Sequence, residues 1–263
     1  LVFKVCPQIS LAPATLASGT LQVGMSQTVS ASGGAAPYTH SVSAGTLPPG
    51  LALNSATGQI TGSPTQTGTY SFTIMSADAN GCQGTRAHTM VISNPTFDFG
   101  DFSLFGSASS IVSNDLMLGD FVDAEESAVT NLAATGDDIT NINDEDGVTL
   151  QSILVRGQAG VTVTVKLKNT SPGPAYLNGW VDFNNNGVLS ENERIISNLL
   201  VENGVTQDYR SFFFDVPSNA ALGVVGARFR LTSASSPGST GAGGFGEVED
   251  YTTTIVAPST NFR

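Results

Sequence analysis

The chain is short of basic residues: 10 Lys and Arg stand against 22 Asp and Glu, a formal net charge of −12 at pH 7. Phosphate binding needs a basic face, so nucleic acid is excluded as a partner. No apolar run reaches membrane-spanning length, and no basic-then-apolar signal segment heads the sequence. With Leu rather than Met at position 1, the expectation is a mature or excised piece of something longer. His40 and His88 are the only histidines, neither in a metal-binding spacing, and no GxSxG elbow offers a nucleophile. Carboxylate pairs for glycoside cleavage are numerically available, but the single Trp180 comes with no aromatic cluster that would suggest a sugar-binding cleft. Gly241-x-Gly243-x-x-Gly246 fits GxGxxG literally, yet it lacks the strand-then-helix setting, and acidic residues follow where a phosphate would sit. No amphipathic helix of any length is visible; the best candidate for a short one is near 192–200.

What the chain does have is turn chemistry and an uneven charge. Gly, Ser, Thr and Asn are abundant and only 12% of residues are charged, as in extracellular β proteins with many turns. Residues 1–94 carry a net +1, whereas 95–263 carry 8 basic and 21 acidic residues, a net −13. Within 98–146 there are 12 acidic residues and no Lys or Arg. Such a stretch is either disordered or neutralised by something the sequence does not contain. The two cysteines, Cys6 and Cys82, flank one candidate β domain. A disulfide between them would close a loop of about 76 residues and constrain the unfolded chain by about 4 kcal/mol; two unrelated buried thiols are the alternative. A disulfide would place the protein outside the cytoplasm.

Residues 6–93 predict short strands every 8–12 residues, separated by SGGAAP, GTLPPG, NSATG, SPTQTG and DANG. TYSFTIM puts Tyr70, Phe72 and Ile74 on one face. Seven short strands in about 90 residues is the pattern of an immunoglobulin-like sandwich. Pro37-Tyr38, Leu47-Pro48-Pro49-Gly50-Leu51, Gly58-x-Ile60-x-Gly62-x-Pro64 and Gly68-Thr69-Tyr70 resemble the Putative Ig modules of large bacterial surface and secreted proteins. That resemblance implies a spacer or adhesive module.

Asn94-Pro95 marks the boundary, so the domains are expected at 1–94 and 95–263. FDFGDFSLFG and the acidic segments after it show few periodic apolar runs, and strands resume at 148. VTVTVKLK turns Val161, Val163, Val165 and Leu167 inward, and ARFRLT does so with Ala227, Phe229 and Leu231, leaving Arg228 and Arg230 on the other face. GEVEDYTTTIV (246–256), WVDFNNNGVLSENE, LGDFVDAE and GDDITNINDEDGV resemble the GEVED-type domain of bacterial secreted proteins over nearly all of 97–256. The resemblance implies a β-sandwich at the ends of, or between, other extracellular modules, without a settled activity. FDFGDFSLFG departs from a more polar DYGD-type start, which puts the role of Asp98 and Asp101 in question.

DFNNNGVLSENE (182–193) has calcium-loop spacing, in which about six to eight hard oxygens surround one ion. Asp182, Asn184 and Asn186 would supply side-chain oxygens, Val188 its carbonyl, Ser190 a hydroxyl or bridging water, and Glu193 both carboxylate oxygens. Gly187 stands where the sharp turn needs it, and Leu189 should point to the core. A metal-free Asn-Gly hairpin turn is the competing reading. Further calcium is expected among Asp120, Asp123, Glu125, Asp137, Asp138, Asp144, Glu145 and Asp146, because unscreened carboxylates repel. Glu247 and Glu249 stand on one side of the closing strand and Asp250 on the other; they either pair with Arg228 and Arg230 or complete a calcium site.

The expectation is therefore all-β: an Ig-like sandwich, then a calcium-stabilised, jelly-roll-like sandwich with long acidic loops. The function expected is that of a non-enzymatic structural or adhesive, calcium-binding portion of a bacterial extracellular or cell-surface protein. Its partners would be calcium ions, neighbouring domains and cell-surface polysaccharide. A fibre or surface-layer variant would pair copies through the edges LVFKV and IVAP. The alternative is a carbohydrate-binding module attached to a secreted hydrolase.

Overall fold

The structure, a computed structural model, describes residues 5–122, 124–125, 127–134 and 145–259. Asp123, Asp137, Asp138 and Asp144 lie outside the described residues, as do the first four residues of LVFKV. The chain divides into two compact units, Leu1–Pro95 and Thr96–Arg263.

The first unit contains β1 (Ser10–Ala12), β2 (Gly19–Thr20), β3 (Met25–Thr28), β4 (Ser30–Ser32), β5 (Thr39–Gly45), β6 (Leu51–Leu53), β7 (Gln59–Gly62), β8 (Gly68–Ala77) and β9 (Gln83–Ser93). A four-stranded sheet runs β2-β9-β8-β5, a three-stranded one β3-β7-β6, and β1 pairs with β4. Alternation along β8 and β9 turns Phe72, Ile74, Met90 and Ile92 inward onto Val29 and Ile60, an Ig-like sandwich. Cys6 and Cys82 are disulfide-bonded. Asp78 shapes the turn that carries Cys82: its Oδ1 accepts the N–H groups of Asn80 and Cys82 at 2.9 and 2.8 Å, and its Oδ2 that of Ala35 at 3.0 Å.

The second unit contains β10 (Phe97–Phe99), β11 (Ala108–Ile111), β12 (Leu116–Leu118), β13 (Val148–Thr149), β14 (Ile153–Val155), β15 (Val161–Asn169), β16 (Ala175–Val181), β17 (Arg194–Val201), β18 (Val205–Phe214), β19 (Gly223–Thr232) and β20 (Gly241–Val256). One sheet is ordered β10-β11-β20-β19-β16-β17, with β14 also on β20; the other is β12-β15-β13, with β18 on the second edge of β15. The pairs β11·β20 and β14·β20 are parallel. Val161, Val163, Val165 and Leu167 of one sheet meet Leu177, Ala227, Phe229 and Leu231 of the other in a single core.

Two expectations fail here. The stretch near 192–200 is not helical: a 3₁₀ turn at Glu191–Glu193 leads directly into β17. Ile196 and Val201 are buried there, and pairing with β16 satisfies the backbone. Nor is the IVAP stretch a free edge, because Ile255 lies between Leu154 of β14 and Gly223 of β19. The FDFGDFSLFG segment, which looked irregular, supplies β10 and packs Phe102 and Phe105 with Trp180 and Leu189 in a separate apolar cluster. Trp180 and Arg228 are cross-strand partners, so this cluster covers the sheet face opposite the main core. Among the described residues no helix is long and apolar enough to cross a membrane.

Candidate metal centre

The 182–193 loop begins where β16 ends and closes through the 3₁₀ turn into β17. Asp182 is fully buried and sits at the pivot of the loop. Its Oδ1 accepts the N–H of Asn186 at 3.1 Å and its Oδ2 that of Gly187 at 2.8 Å. Two residues adopt positive φ to make that turn, Asn185 at 55° and Gly187 at 75°; Asn and Gly bear this with least strain. Asn186 Oδ1 in turn accepts the N–H of Val188 at 2.8 Å.

Glu193, 2% exposed, holds the far end. Its Oε1 accepts the side-chain amide of Asn184 at 2.7 Å, and its Oε2 accepts the Ser190 hydroxyl at 2.6 Å and N–H at 3.1 Å. The loop is thus held by two hydrogen-bonded sets, Asp182 with Asn186, Gly187 and Val188, and Glu193 with Asn184 and Ser190. Burial pushes the Asp182 carboxyl up, and the Glu193 charge pushes it the same way. Among the described residues neither carboxylate forms a salt bridge with Lys or Arg. The nearby Arg194 is engaged with Glu191 at 3.0 Å and lies over the Trp180 ring at 5.0 Å. A cavity of about 70 Å³ adjoins Asn184 and Glu193. The donors are all hard oxygens, a set that suits calcium rather than a soft-ligand metal. Leu189 is buried as expected, but in the outer cluster with Phe105 and Trp180 rather than in the main core.

Among the described residues, those of the 182–193 loop included, no group of three or more His, Cys, Asp or Glu gathers as a metal site. The described carboxylates in the rest of the acidic belt have other partners. Asp146 accepts the N–H of Asp120 at 2.9 Å, and Asp120 pairs with Lys166. Glu125 accepts the N–H of Phe99 at 3.0 Å. Part of the belt is therefore held by backbone donors and by a lysine from β15, outside the stretch that lacks Lys and Arg.

Two family matches bear on the chain. Residues 7–93 match the Putative Ig domain and residues 176–254 match the GEVED domain. Residues 7–93 thus carry a Putative Ig domain, and residues 176–254 a GEVED domain after it. Both are non-catalytic modules of surface or secreted proteins. The GEVED match begins later than the span of about 97–256 suggested by the motifs. No curated protein matches the chain. Solved structures similar to it include protocadherin gamma B7 extracellular cadherin domains 1–4, at 8% identity over 95% of this chain and 50% of that one, with a TM-score of 0.29. An endo-fucoidan hydrolase of glycoside hydrolase family 107 aligns at 12% identity over 96% and 34%, TM-score 0.31. An α-galactosidase from Bacteroides fragilis NCTC 9343 aligns at 24% identity over 40% and 22%, TM-score 0.29. The chain spans half or less of each of these structures, and at such scores the likeness carries no argument.

Within the GEVED domain, the signature residues of β20 divide between two faces. Asp250 pairs with Arg228 on the outer face, Nε to Oδ1 and Nη2 to Oδ2 both at 2.7 Å. Asp250 Oδ2 also accepts the N–H of Phe102 at 2.9 Å. Arg230 hydrogen-bonds the carbonyls of Gly238 at 2.7 Å, Gly241 at 2.9 Å and Ser109 at 3.1 Å, and burial lowers its pKa to about 10. On the other face Glu247 accepts the N–H of Leu118, and Glu249 that of Gly147 at 2.8 Å. Of the two roles open to these acids, Asp250 takes the arginine, whereas Glu247 and Glu249 bind backbone of the opposing sheet's β12 and of the turn before β13. Asp98 is a position whose role the sequence left open. It is fully buried and accepts the N–H of Val248 at 2.5 Å, joining β10 to the signature strand.

Proposed function

We propose that the chain is a calcium-stiffened, non-catalytic structural or adhesive portion of an extracellular protein. The supporting observation is the pair Asp182 and Glu193: two buried carboxylates in one loop, with no salt bridge to Lys or Arg among the described residues; burial raises the Asp182 pKa and the Glu193 charge adds to it. Burying like charges without a counterion is costly, and a divalent ion on the loop oxygens removes that cost. The ion acts as a cross-link. It ties the start of the loop at β16 to its end at β17 and holds Leu189 in the outer cluster. Two amide ligands lower the loop charge and suit an affinity of about 10⁻⁴–10⁻³ M, the range of extracellular calcium modules.

The test is thermal unfolding of the whole chain with calcium and with excess EGTA. Calcium at about 100 times its Kd should stabilise the GEVED unit by about 2.7 kcal/mol. Asp182→Ala combined with Glu193→Ala should abolish that gain and remove one ion from the native mass spectrum. A melting temperature indifferent to calcium would remove the reading.

A further inference from the structure

The outer face of the second unit's smaller sheet carries a feature that the metal loop does not use. Strand β18 pairs with β15 in the register Thr162↔Phe213, Thr164↔Ser211 and Lys166↔Tyr209, which places these side chains together on the side away from the core. Tyr209 is 63% exposed and Phe213 72%. Four residues apart on one strand, they stand about 13 Å from each other. Hydroxyl groups fill the interval, with Thr164 Oγ1 and Ser211 Oγ 3.0 Å apart.

Beyond Tyr209 the face runs into a cleft of about 180 Å³ whose lining includes Asp120, Lys168, Thr206 and Gln207. Gln207 reaches the Tyr209 hydroxyl at 3.4 Å, and Lys166 lies over the Tyr209 ring at 5.8 Å while pairing with Asp120. The Lys168 ammonium contacts the Met117 sulfur at 3.9 Å and has no salt bridge among the described residues. In a region with 21 acidic and 8 basic residues, an ammonium that no carboxylate of the described residues has taken is a distinctive element of charge.

We propose that this face binds an acidic polysaccharide, one bearing uronate or similar carboxylate groups. Exposed aromatic rings stack on the apolar faces of sugar rings, and the hydroxyls and amide between them hydrogen-bond sugar hydroxyls. The Lys168 ammonium complements the ligand's carboxylate, and the chain's overall negative charge is screened beyond about 8 Å at physiological salt. This inference goes beyond the structural role proposed above and is independent of the metal loop.

The test is affinity gel electrophoresis of the full chain through hyaluronan, chondroitin and carboxymethylcellulose, with neutral hydroxyethylcellulose as the comparison. At least one acidic polymer should retard the chain, and the neutral one should do so less. Tyr209→Ala with Phe213→Ala should weaken retardation about tenfold or more, and Lys168→Gln should weaken it for the acidic polymers alone. Tyr209→Phe and Phe213→Tyr keep both rings and should retain binding. Equal melting temperatures and equal calcium response would show that the alanine variants are folded. No retardation by any acidic polymer, or retardation unchanged in the alanine variant, overturns the proposal. Equal retardation by the neutral polymer overturns the acidic assignment. Sedimentation supplies the remaining outcome: a dimer broken by the alanine variant, without polysaccharide binding, would assign the face to a second copy and overturn the proposal.

Discussion

Arg228 and Asp250 form a bidentate ion pair with both side chains at 0% exposure, between neighbouring strands and beneath the Phe105 ring. The pair is at home there because its own remaining polar atoms are engaged: the Gly106 and Ser239 carbonyls take Arg228 Nη1 at 2.7 and 2.9 Å, and the Phe102 N–H binds Asp250 Oδ2 at 2.9 Å. It anchors the 97–106 segment to the sheet.

Removing one partner should therefore do more harm than removing both. Asp250→Ala strands a buried guanidinium and should cost about 3–5 kcal/mol in urea unfolding of the second unit. Asp250→Leu with Arg228→Met should recover part of that loss. Equal loss in the single and double variants would show that the pair is not the cause.

The segment over the outer face is packed tightly enough to be tested by one methyl group. A Cβ on Gly226 would stand 2.6 Å from ring carbons of both Phe102 and Phe105. Gly226→Ala should cost about 1–3 kcal/mol, and near-ultraviolet circular dichroism should change as Trp180 loses its ordered neighbours.

The first unit should weaken in mild acid. His40, bonded through Nδ1 to Ser76 Oγ at 2.8 Å, and His88, 5.9 Å from the Phe72 ring, are both buried, and burial lowers both pKa values. Arg86 adds to the effect at His88. The unfolded chain then takes up protons that the folded one refuses. Stability is full above the unfolded value of about 6.5 and falls as pH drops below it toward the lowered folded values. Thermal scans between pH 7.5 and 5 (about the range in which histidine titrates) should show the first transition falling, and His88→Phe should flatten the slope.

Reduction of Cys6–Cys82 should destabilise the same unit, by about 4 kcal/mol for a closed loop of 76 residues. The calcium-dependent transition of the other unit should not move. A shift in both would mean that the two transitions are not separable.

Much of this was legible in the sequence, because strand alternation and turn residues are local signals. VTVTVKLK, TYSFTIM and ARFRLT each gave the correct inward face. The stretch near 192–200 was the best local candidate for a short helix, but Arg194–Val201 is a strand because β16 lies alongside it. Local pattern also took FDFGDFSLFG for an irregular segment, because its phenylalanines bury against a sheet face made some 80 to 150 residues later. Tyr209 and Phe213 did not read as an aromatic surface, because one ring on each second turn of the pleat becomes a platform only when β15 lies beside it.

The sequence by itself determined the two modules and the all-β class, both of which depend on residues close together in the chain. Only the tertiary structure decided what the many carboxylates do. Asp250 went to Arg228, Glu247 and Glu249 to backbone of the facing sheet's side, Asp120 to Lys166, and Asp182 and Glu193 to each other's company. A carboxylate's role is set by whichever donor or cation folding brings within about 3 Å, and for Asp120, Glu247, Glu249 and Asp250 that neighbour lies far away in the sequence.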